Sequence, residues 1–227
     1  MAILTFKLSE NLFIRDPLET DLGRKIIQMG ITLIDTLGFE EFTFKKLSVE
    51  IRSTEASIYR YFENKHKLLI YLLDWYWTWL EYQIDFKINN VADPVKRLKI
   101  CLHALAEKKT ADPGIAHVDE AALQRIISAE FEKTYLTKQV DADNKEGLFL
   151  PYKSLCKKVA AIVLEVSPGY KFPNSLVSTV MLAINHQLYY AQHLPSLSDI
   201  QYDPKMHYKK LNQFLETLVF STIRKVQ

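Results

Sequence analysis

The sequence predicts an all-α protein, and two observations support this fold class. Only six glycines and eight prolines occur in 227 residues, which favours helices over a turn-rich β fold. Apolar residues also recur at spacings of three and four over long stretches, which is the period of amphipathic helices. With 48% hydrophobic and 25% charged residues, the chain has a globular composition and can bury one or two cores.

Asp-Pro pairs mark predicted helix starts, because the Asp side chain caps free backbone N–H groups and proline supplies the φ of the first helical residue. After the first pair, Glu19 completes a start that resembles a capping box, and Gly38 is a natural stop for this first helix. The pairs are Asp16-Pro17, Asp93-Pro94, Asp112-Pro113 and Asp203-Pro204. The predicted inward stripe of the first helix is Leu22, Ile26, Met29, Leu33 and Leu37.

Two short helices and one long helix are predicted next. The second helix begins after Thr43 and the third after Thr54, each with a few apolar residues on its inner side. The fourth begins near Asn64 and is apolar over more than one narrow face as far as Phe86, so other helices should cover it. The inward residues of the two short helices are Phe44, Leu47 and Ile51, then Ile58 and Phe62.

The rest of the chain predicts five more helices, with no internal repeat. The last two carry broad apolar faces, which makes them candidates for a four-helix interface in a homodimer. The alternative is that these faces pack entirely within one subunit. The predicted helices span about 94–109, 119–138, 149–166, 175–193 and 204–225, separated by turn-rich stretches such as DPG, DADNKEG and SPGYKFPN.

The second and third helices have the pattern of a helix-turn-helix that docks in the DNA major groove. Such a recognition helix buries one face and keeps small or hydrogen-bonding residues on the other, where base edges must be approached. Ile58 is the inward anchor of the third helix. Between Lys45 and Lys67 there are six cations and three anions, an excess of three positive charges against two for the whole chain.

The stretch KKLSVEIRSTEASIYRYFENKHKLL resembles the DNA-binding motif of TetR-family transcriptional regulators. The match comprises Thr54, the sequence IYRYF at 58–62, Asn64-Lys65 and Leu68-Leu69, and the detailed resemblance covers about residues 23–73. It implies a sequence-specific DNA-binding regulator, most often a repressor, that binds a palindromic operator as a homodimer. It also implies release from DNA by a small-molecule effector bound in the helical body.

The resemblance also assigns roles to individual residues. Thr43 and Lys46 lie near phosphates, and Tyr59, Tyr61 and Lys65 contact phosphates; core packing is an equal alternative for Tyr61. The residues near bases or backbone are Thr54, Glu55, Ala56 and Ser57, and Arg60 joins them on the candidate outer surface.

The turn between the two short helices departs from the family pattern. Arg52-Ser53 stands where the family usually has Gly-Val, and glycine adopts a positive φ without penalty. Arg52 therefore predicts either modest strain or a different turn, and its cation lies near phosphates or is simply solvated. This departure motivates an alternative function, a helical ligand-binding or protein-interaction module that has lost DNA reading.

The sequence predicts a division into a DNA-binding domain at 1–65 and a ligand-binding and dimerisation domain at 66–227. The aromatic residues of the fourth helix either line a ligand pocket or form core. No secretion signal or membrane span is expected, so the protein should be soluble and cytoplasmic. Cysteine and histidine spacings predict no metal site, no cofactor is expected, and the common catalytic motifs are absent from the sequence, so no enzyme is predicted.

Overall fold

A computed structural model describes residues 6–111, 115, 117–203 and 207–224. Within these residues the chain forms ten α-helices and no β-strand, which confirms the all-α prediction. The helices are α1 Asp21–Leu37, α2 Phe44–Glu50, α3 Glu55–Tyr59, α4 Lys65–Ile88, α5 Pro94–Ala106, α6 Glu120–Tyr135, α7 Val140–Lys145, α8 Leu150–Val166, α9 Pro173–His193 and α10 His207–Arg224.

The start of α1 differs from the sequence prediction. Asp16 caps a separate 3-10 turn, Pro17–Glu19, and the N-cap of α1 is Thr20, whose hydroxyl accepts a hydrogen bond from the Gly23 N–H. A β-carbon on Gly23 would lie 2.2 Å from the Pro17 carbonyl oxygen. The 3-10 turn therefore folds directly against the first turn of α1, at a position that only glycine can occupy.

The buried face of α1 is also rotated from the predicted face by about one residue position. Of the predicted stripe only Ile26 is buried, and Leu37 is 40% exposed. The buried row consists of Ile26, Ile27, Ile31 and Ile34. The stop at Gly38 is confirmed, since its N–H donates to the Ile34 carbonyl at 2.9 Å and its φ is 78°.

The chain packs as two compact units that do not follow the predicted boundary near residue 65. Unit 1 comprises Met1–Trp77 and Lys109–Pro151, and unit 2 comprises Thr78–Lys108 and Tyr152–Gln227. Helix α4 begins at Lys65 and belongs to unit 1 as far as Trp77, and α6 packs on α1 within the same unit. Compact packing and functional division are separate properties, so the functional division at 65 stays a prediction.

Unit 1 includes the N-terminal segment, which packs as a structured strap from Phe6 onward. Leu12 is 1% exposed, and the Phe6 ring lies edge-on to Trp75 at 5.5 Å between centroids. The Ile14 N–H donates to the Tyr61 carbonyl at 2.8 Å. The segment is therefore part of the packing around α3 and α4.

Unit 2 has its own core, formed by α5 with α9 and α10, which pack on one another. Buried residues of α5 and α10 include Leu98, Leu102, Leu211 and Leu215. The Lys158 ammonium lies 2.8 Å from a Glu81 carboxylate oxygen. Among the described residues no helix has the length and apolar character that crossing a lipid bilayer would require.

Two further outcomes concern the segments between helices. The DADNKEG stretch, predicted as a turn, supplies five of the six residues of helix α7, which begins at Val140. The predicted starts at Asp112-Pro113 and at Pro204 lie outside the described residues, as does the predicted end at Lys225. The start at Asp93-Pro94 is confirmed, because Asp93 accepts a hydrogen bond from the Val95 N–H at 2.9 Å.

Candidate nucleic-acid interface

Helices α2 and α3 form the predicted helix-turn-helix, and each has a threonine cap. The Thr43 hydroxyl accepts from the Lys46 N–H at 3.2 Å. The Thr54 hydroxyl accepts from the Ser57 N–H at 3.2 Å and pairs with the Ser57 hydroxyl at 2.9 Å. Each cap satisfies a backbone donor that the first helical turn leaves free, so two very short helices keep defined starts.

The turn between the helices is a Schellman motif with arginine at its left-handed position. The Ser53 N–H donates to the Ser48 carbonyl at 2.9 Å, and the Arg52 N–H donates to the Val49 carbonyl at 3.1 Å. This 6→1 and 5→2 pairing requires a positive φ at the residue after the C-cap, and Arg52 has a φ of 53°. Of the two outcomes that the sequence left open, the structure has the strained one.

The outer surface of α3 carries small and polar side chains. Ile58 is fully buried as the inward anchor. Ala56 and Arg60 are exposed, and Glu55 and Ser57 are half-buried. Side chains of this size and polarity leave base edges accessible in a major groove.

Tyr59 lies at the edge of the same surface. Its side chain is 48% exposed, and its ring packs edge-on against Phe44 with 5.1 Å between centroids. Because the ring is held by α2 while the residue remains exposed, its hydroxyl is available to an approaching phosphate.

Tyr61 is a core residue, which is one of the two alternatives that the sequence left open for it. It is 4% exposed, and its hydroxyl pairs with the Thr20 hydroxyl at 2.7 Å. The guanidinium of Arg15 lies 5.7 Å from its ring centroid. Tyr61 therefore joins α3 to the N-cap of α1, and it leaves the set of candidate phosphate contacts.

Lys65, to which the resemblance assigns a phosphate contact, makes its hydrogen bonds within the protein. Its ammonium donates to three backbone carbonyls, those of Phe39 at 2.9 Å and of Glu40 and Phe42 at 3.1 Å each. A lysine ammonium has three N–H donors, so this set occupies all of them. Lys65 holds the loop between α1 and α2 and has no donor left for a phosphate.

The positive charge near the helix-turn-helix is smaller than the sequence count indicates. Lys46 is exposed but pairs with Glu41, with 3.2 Å between the ammonium and a carboxylate oxygen. Lys67 pairs with Glu146 at 2.7 Å. Lys46, Lys65 and Lys67 are thus half of the six cations between positions 45 and 67, and each is engaged in intramolecular ion pairs or hydrogen bonds.

The other three cations of this motif are exposed and have no partner in the described part of the chain. Lys45, Arg52 and Arg60 are exposed, and their side chains make no ion pair or hydrogen bond within the described part of the chain. Sequence reasoning omitted Lys45 from the candidate site, and the signal that identifies it is its place between inward-facing Phe44 and Leu47 on α2. Val49, also omitted, is 69% exposed on the same helix.

The aromatic residues of α4 are mostly core, which was one of the two open interpretations. Trp75, Tyr76, Trp77 and Trp79 are all at most 6% exposed, whereas Tyr82 is 44% exposed. The Trp77 indole N–H donates to the Tyr135 hydroxyl at 2.9 Å. These four side chains are therefore buried among the helices.

Burial raises the pKa of three groups outside the helix-turn-helix, one carboxyl and two thiols. Burial raises the pKa of the Asp74 carboxyl to about 8. Burial likewise raises the pKa of the Cys101 thiol to about 12 and that of the Cys156 thiol to about 11, which leaves them neutral and poorly nucleophilic near pH 7. Among the described residues no three His, Cys, Asp or Glu side chains are grouped to hold a metal ion.

Comparison with known proteins gives a consistent fold. No family model matches the chain. The solved structure of AibR in complex with isovaleryl coenzyme A and operator DNA is 17% identical, with a TM-score of 0.61, and covers 88% of this chain and 99% of AibR. The TetR family transcriptional regulator PfmR from Thermus thermophilus is 12% identical, with a TM-score of 0.58 and coverage of 88% and 96%.

Similarity to curated proteins is confined to part of the chain. The nucleoid occlusion factor SlmA of Shewanella sediminis is 29% identical over 93 residues, which are 41% of this chain and 47% of SlmA. SlmA of Haemophilus influenzae is 26% identical over 104 residues, which are 42% of this chain and 48% of that relative. The chain spans about half the length of the curated relatives it matches.

Proposed function

We propose, on the premise that this chain has the fold of TetR-family regulators, that it is a sequence-specific DNA-binding transcriptional regulator and not an enzyme. The observation that carries the proposal is the surface of α2 and α3. It combines an exposed, small-residue helix face with three surface cations, Lys45, Arg52 and Arg60. Such a surface fits the major groove and its flanking phosphates.

The proposed contacts divide into two sets by chemistry. The first is a base-reading set, in which Glu55 can accept from a cytosine amine and the Ala56 methyl can meet a thymine methyl; Thr54 and Ser57 complete it. The second is a phosphate-contacting set, which consists of Thr43, Lys45, Arg52, Tyr59 and Arg60; Lys46 is left out because its ammonium pairs with Glu41.

A single motif of this size buries little surface, so we propose a homodimer that reads a palindromic operator with two copies of α3 about 34 Å apart. Helix α9 is the main candidate for the contact, because its 21 residues contain no Asp, Glu, Lys or Arg. It also exposes Leu182 and Tyr189, at 38% and 39%. Charged residues are depleted and aromatic residues enriched in interface cores, and an uncharged face meets its own copy without repulsion.

The test of DNA reading is selection from a randomised duplex library with the purified protein at moderate salt. We expect a palindromic consensus. For that duplex, the three surface cations on each subunit, six in a dimer, imply a slope of log K against log salt of about −5. Binding without sequence preference would contradict the proposal and would favour the helical module that has lost DNA reading.

Two alanine substitutions make the test specific to this surface. Lys45→Ala should weaken binding and reduce the salt slope by about 2, since each dimer loses two phosphate contacts at about 0.9 each. Lys157→Ala removes an exposed cation of α8 in unit 2, and it should change neither quantity. Equal effects of the two variants would indicate non-specific attraction by overall charge.

The dimer has its own test with a closely matched control. Leu182 on α9 and Leu164 on α8 are both 38% exposed. A charge on Leu182 would have to be desolvated in the proposed interface, so Leu182→Glu should convert the dimer to a monomer in sedimentation velocity. Leu164→Glu should leave the dimer intact, and dissociation by both variants or by neither would place the interface elsewhere.

We also propose that an effector bound by the helical body releases the operator. An effector acts only by binding the two conformations unequally. Because AibR was solved with isovaleryl coenzyme A and operator DNA, acyl-CoA thioesters are the first compounds to test. A releasing ligand should raise the melting temperature and weaken operator binding, with free coenzyme A as the control; stabilisation without release would contradict effector control by that ligand.

A further inference from the structure

The loop of residues 38–43 joins α1 to α2 and is held from one side by Lys65. The Lys65 ammonium donates to the carbonyls of Phe39, Glu40 and Phe42 at 2.9–3.1 Å. It also lies 4.7 Å from the centroid of the Phe39 ring, within the range of a cation–π contact. Three carbonyls in four residues thus converge on one cation, which gives the loop a single defined conformation.

The same loop is held from the other side by α6. The Glu130 side chain is 7% exposed, and its Oε1 accepts from the Phe39 N–H at 2.9 Å. Its Oε2 lies 2.9 Å from the Lys133 ammonium, which in turn lies 3.2 Å from a Glu40 carboxylate oxygen. Phe39 is therefore bound at its carbonyl by one charged residue and at its N–H by another.

The loop controls where α2 begins. Its last residue, Thr43, is the N-cap of α2, and Phe42 beside it is fully buried. A helix of seven residues has little intrinsic stability, so its position depends on its caps and its packing. Any release of the loop would shift the N-terminus of α2, where the proposed phosphate contacts Thr43 and Lys45 lie.

We propose that Lys65 and Glu130 are positioning residues for DNA binding. They fix the 38–43 loop and thereby the start of α2, and neither contacts DNA. The inference rests on the proposed DNA-binding function, and it departs from the motif resemblance, which assigns Lys65 to a phosphate. The proposed role does not depend on the sign of the side-chain charge, since the cation Lys65 and the anion Glu130 have the same role.

The salt dependence of operator binding separates a positioning lysine from a phosphate contact. Lys65→Met keeps the aliphatic stem beside Phe39 and removes the ammonium. It should weaken binding by about tenfold or more at fixed salt, because charged hydrogen bonds that order the loop are lost, yet leave the salt slope unchanged. Lys45→Met is the matched control, and it should reduce the slope by about 2.

Substitution of Glu130 distinguishes a positioning role from a simple charge effect, because the two predict opposite changes in DNA affinity. Removing a negative charge from the protein should tighten DNA binding if only charge matters, and Glu50→Ala, at an exposed acid of α2, is the control for that effect. Glu130→Ala should instead weaken binding, because Phe39 loses its acceptor. Glu130→Gln retains an oxygen acceptor and should restore affinity to near that of the unmodified protein.

Amide hydrogen exchange provides a readout that needs no DNA. The Phe42 and Lys46 amides are bonded to the Gly38 carbonyl and the Thr43 hydroxyl, and both should exchange faster in Lys65→Met and Glu130→Ala. Unchanged exchange, a reduced salt slope for Lys65→Met, or tighter binding by Glu130→Ala would each overturn the inference. Failure of the unmodified protein to bind any duplex would overturn the DNA-binding proposal and, with it, the positioning role.

Discussion

Arg52 occupies a backbone conformation that favours glycine. A glycine variant at this position should therefore be more stable than an alanine variant, whereas alanine is usually the more stabilising residue in a helix. The φ of Arg52 is 53°, and this left-handed conformation costs an L-residue roughly 1–2 kcal/mol. Glycine avoids that cost but loses about 0.5–1 kcal/mol through the greater freedom of the unfolded chain. The difference predicts that Arg52→Gly is more stable than Arg52→Ala by about 0.5–1 kcal/mol.

The control for this pair lies two residues earlier in the chain. Glu50 is the last residue of α2 and is exposed like Arg52, but its φ is not positive. In helical backbone alanine is favoured over glycine by about 1 kcal/mol. Glu50→Ala should therefore be more stable than Glu50→Gly, which is the opposite order to that at Arg52.

Urea denaturation followed by circular dichroism measures all four variants on one scale, with the change in midpoint converted through a common slope. The same order at both positions would refute the assignment of a left-handed residue to this turn. A second readout is independent of stability. Both Arg52 variants should reduce the salt slope of operator binding by about 2, because both lose the guanidinium.

Three further substitutions test the interior of unit 1. Burial raises the pKa of the Asp74 carboxyl to about 8 in the folded protein, against a pKa of about 3.9 in the unfolded chain. The free energy of unfolding should therefore fall by up to about 1.4 kcal/mol per pH unit between these values, and Asp74→Asn should flatten a stability profile measured by denaturation at pH 5, 6 and 7. Tyr61→Phe should lower stability by about 1 kcal/mol through loss of the Thr20 hydrogen bond, with operator affinity unchanged; a loss of affinity would return Tyr61 to the contact surface. Gly23→Ala should lower stability by at least about 1–3 kcal/mol in thermal melting, since its β-carbon would meet the Pro17 carbonyl oxygen at 2.2 Å, and an unchanged melt would contradict the packing of the 3-10 turn on α1.

The helix-turn-helix is predictable from sequence because its signals are local. The caps at Thr43 and Thr54 bond to backbone amides three residues away, and the stop at Gly38 needs only a residue that tolerates a positive φ. The inward positions Leu47 and Ile58 follow from helical spacing. Each of these features depends on a few neighbouring residues, so the residue pattern alone identifies it.

Helix α7 lacks such local signals. Its sequence, VDADNK, is polar and its N-terminus has no side-chain cap. The helix is instead supported by packing, since buried Asp143 pairs with His66 of α4 at 3.2 Å. A partner 77 residues away in sequence cannot be recognised from the spacing of apolar residues within the segment.

Sequence pattern identifies which residue types surround the proposed reading surface, whereas three-dimensional packing decides which of them are available. Tyr61 and Lys65 fit the motif of a phosphate contact. However, the Tyr61 hydroxyl is hydrogen-bonded to Thr20, and the Lys65 ammonium donates to three loop carbonyls. Lys45, which the motif does not mark, is left exposed. A donor can serve DNA only if no internal acceptor already holds it, and those acceptors come from residues that are distant in sequence and adjacent only in the folded chain.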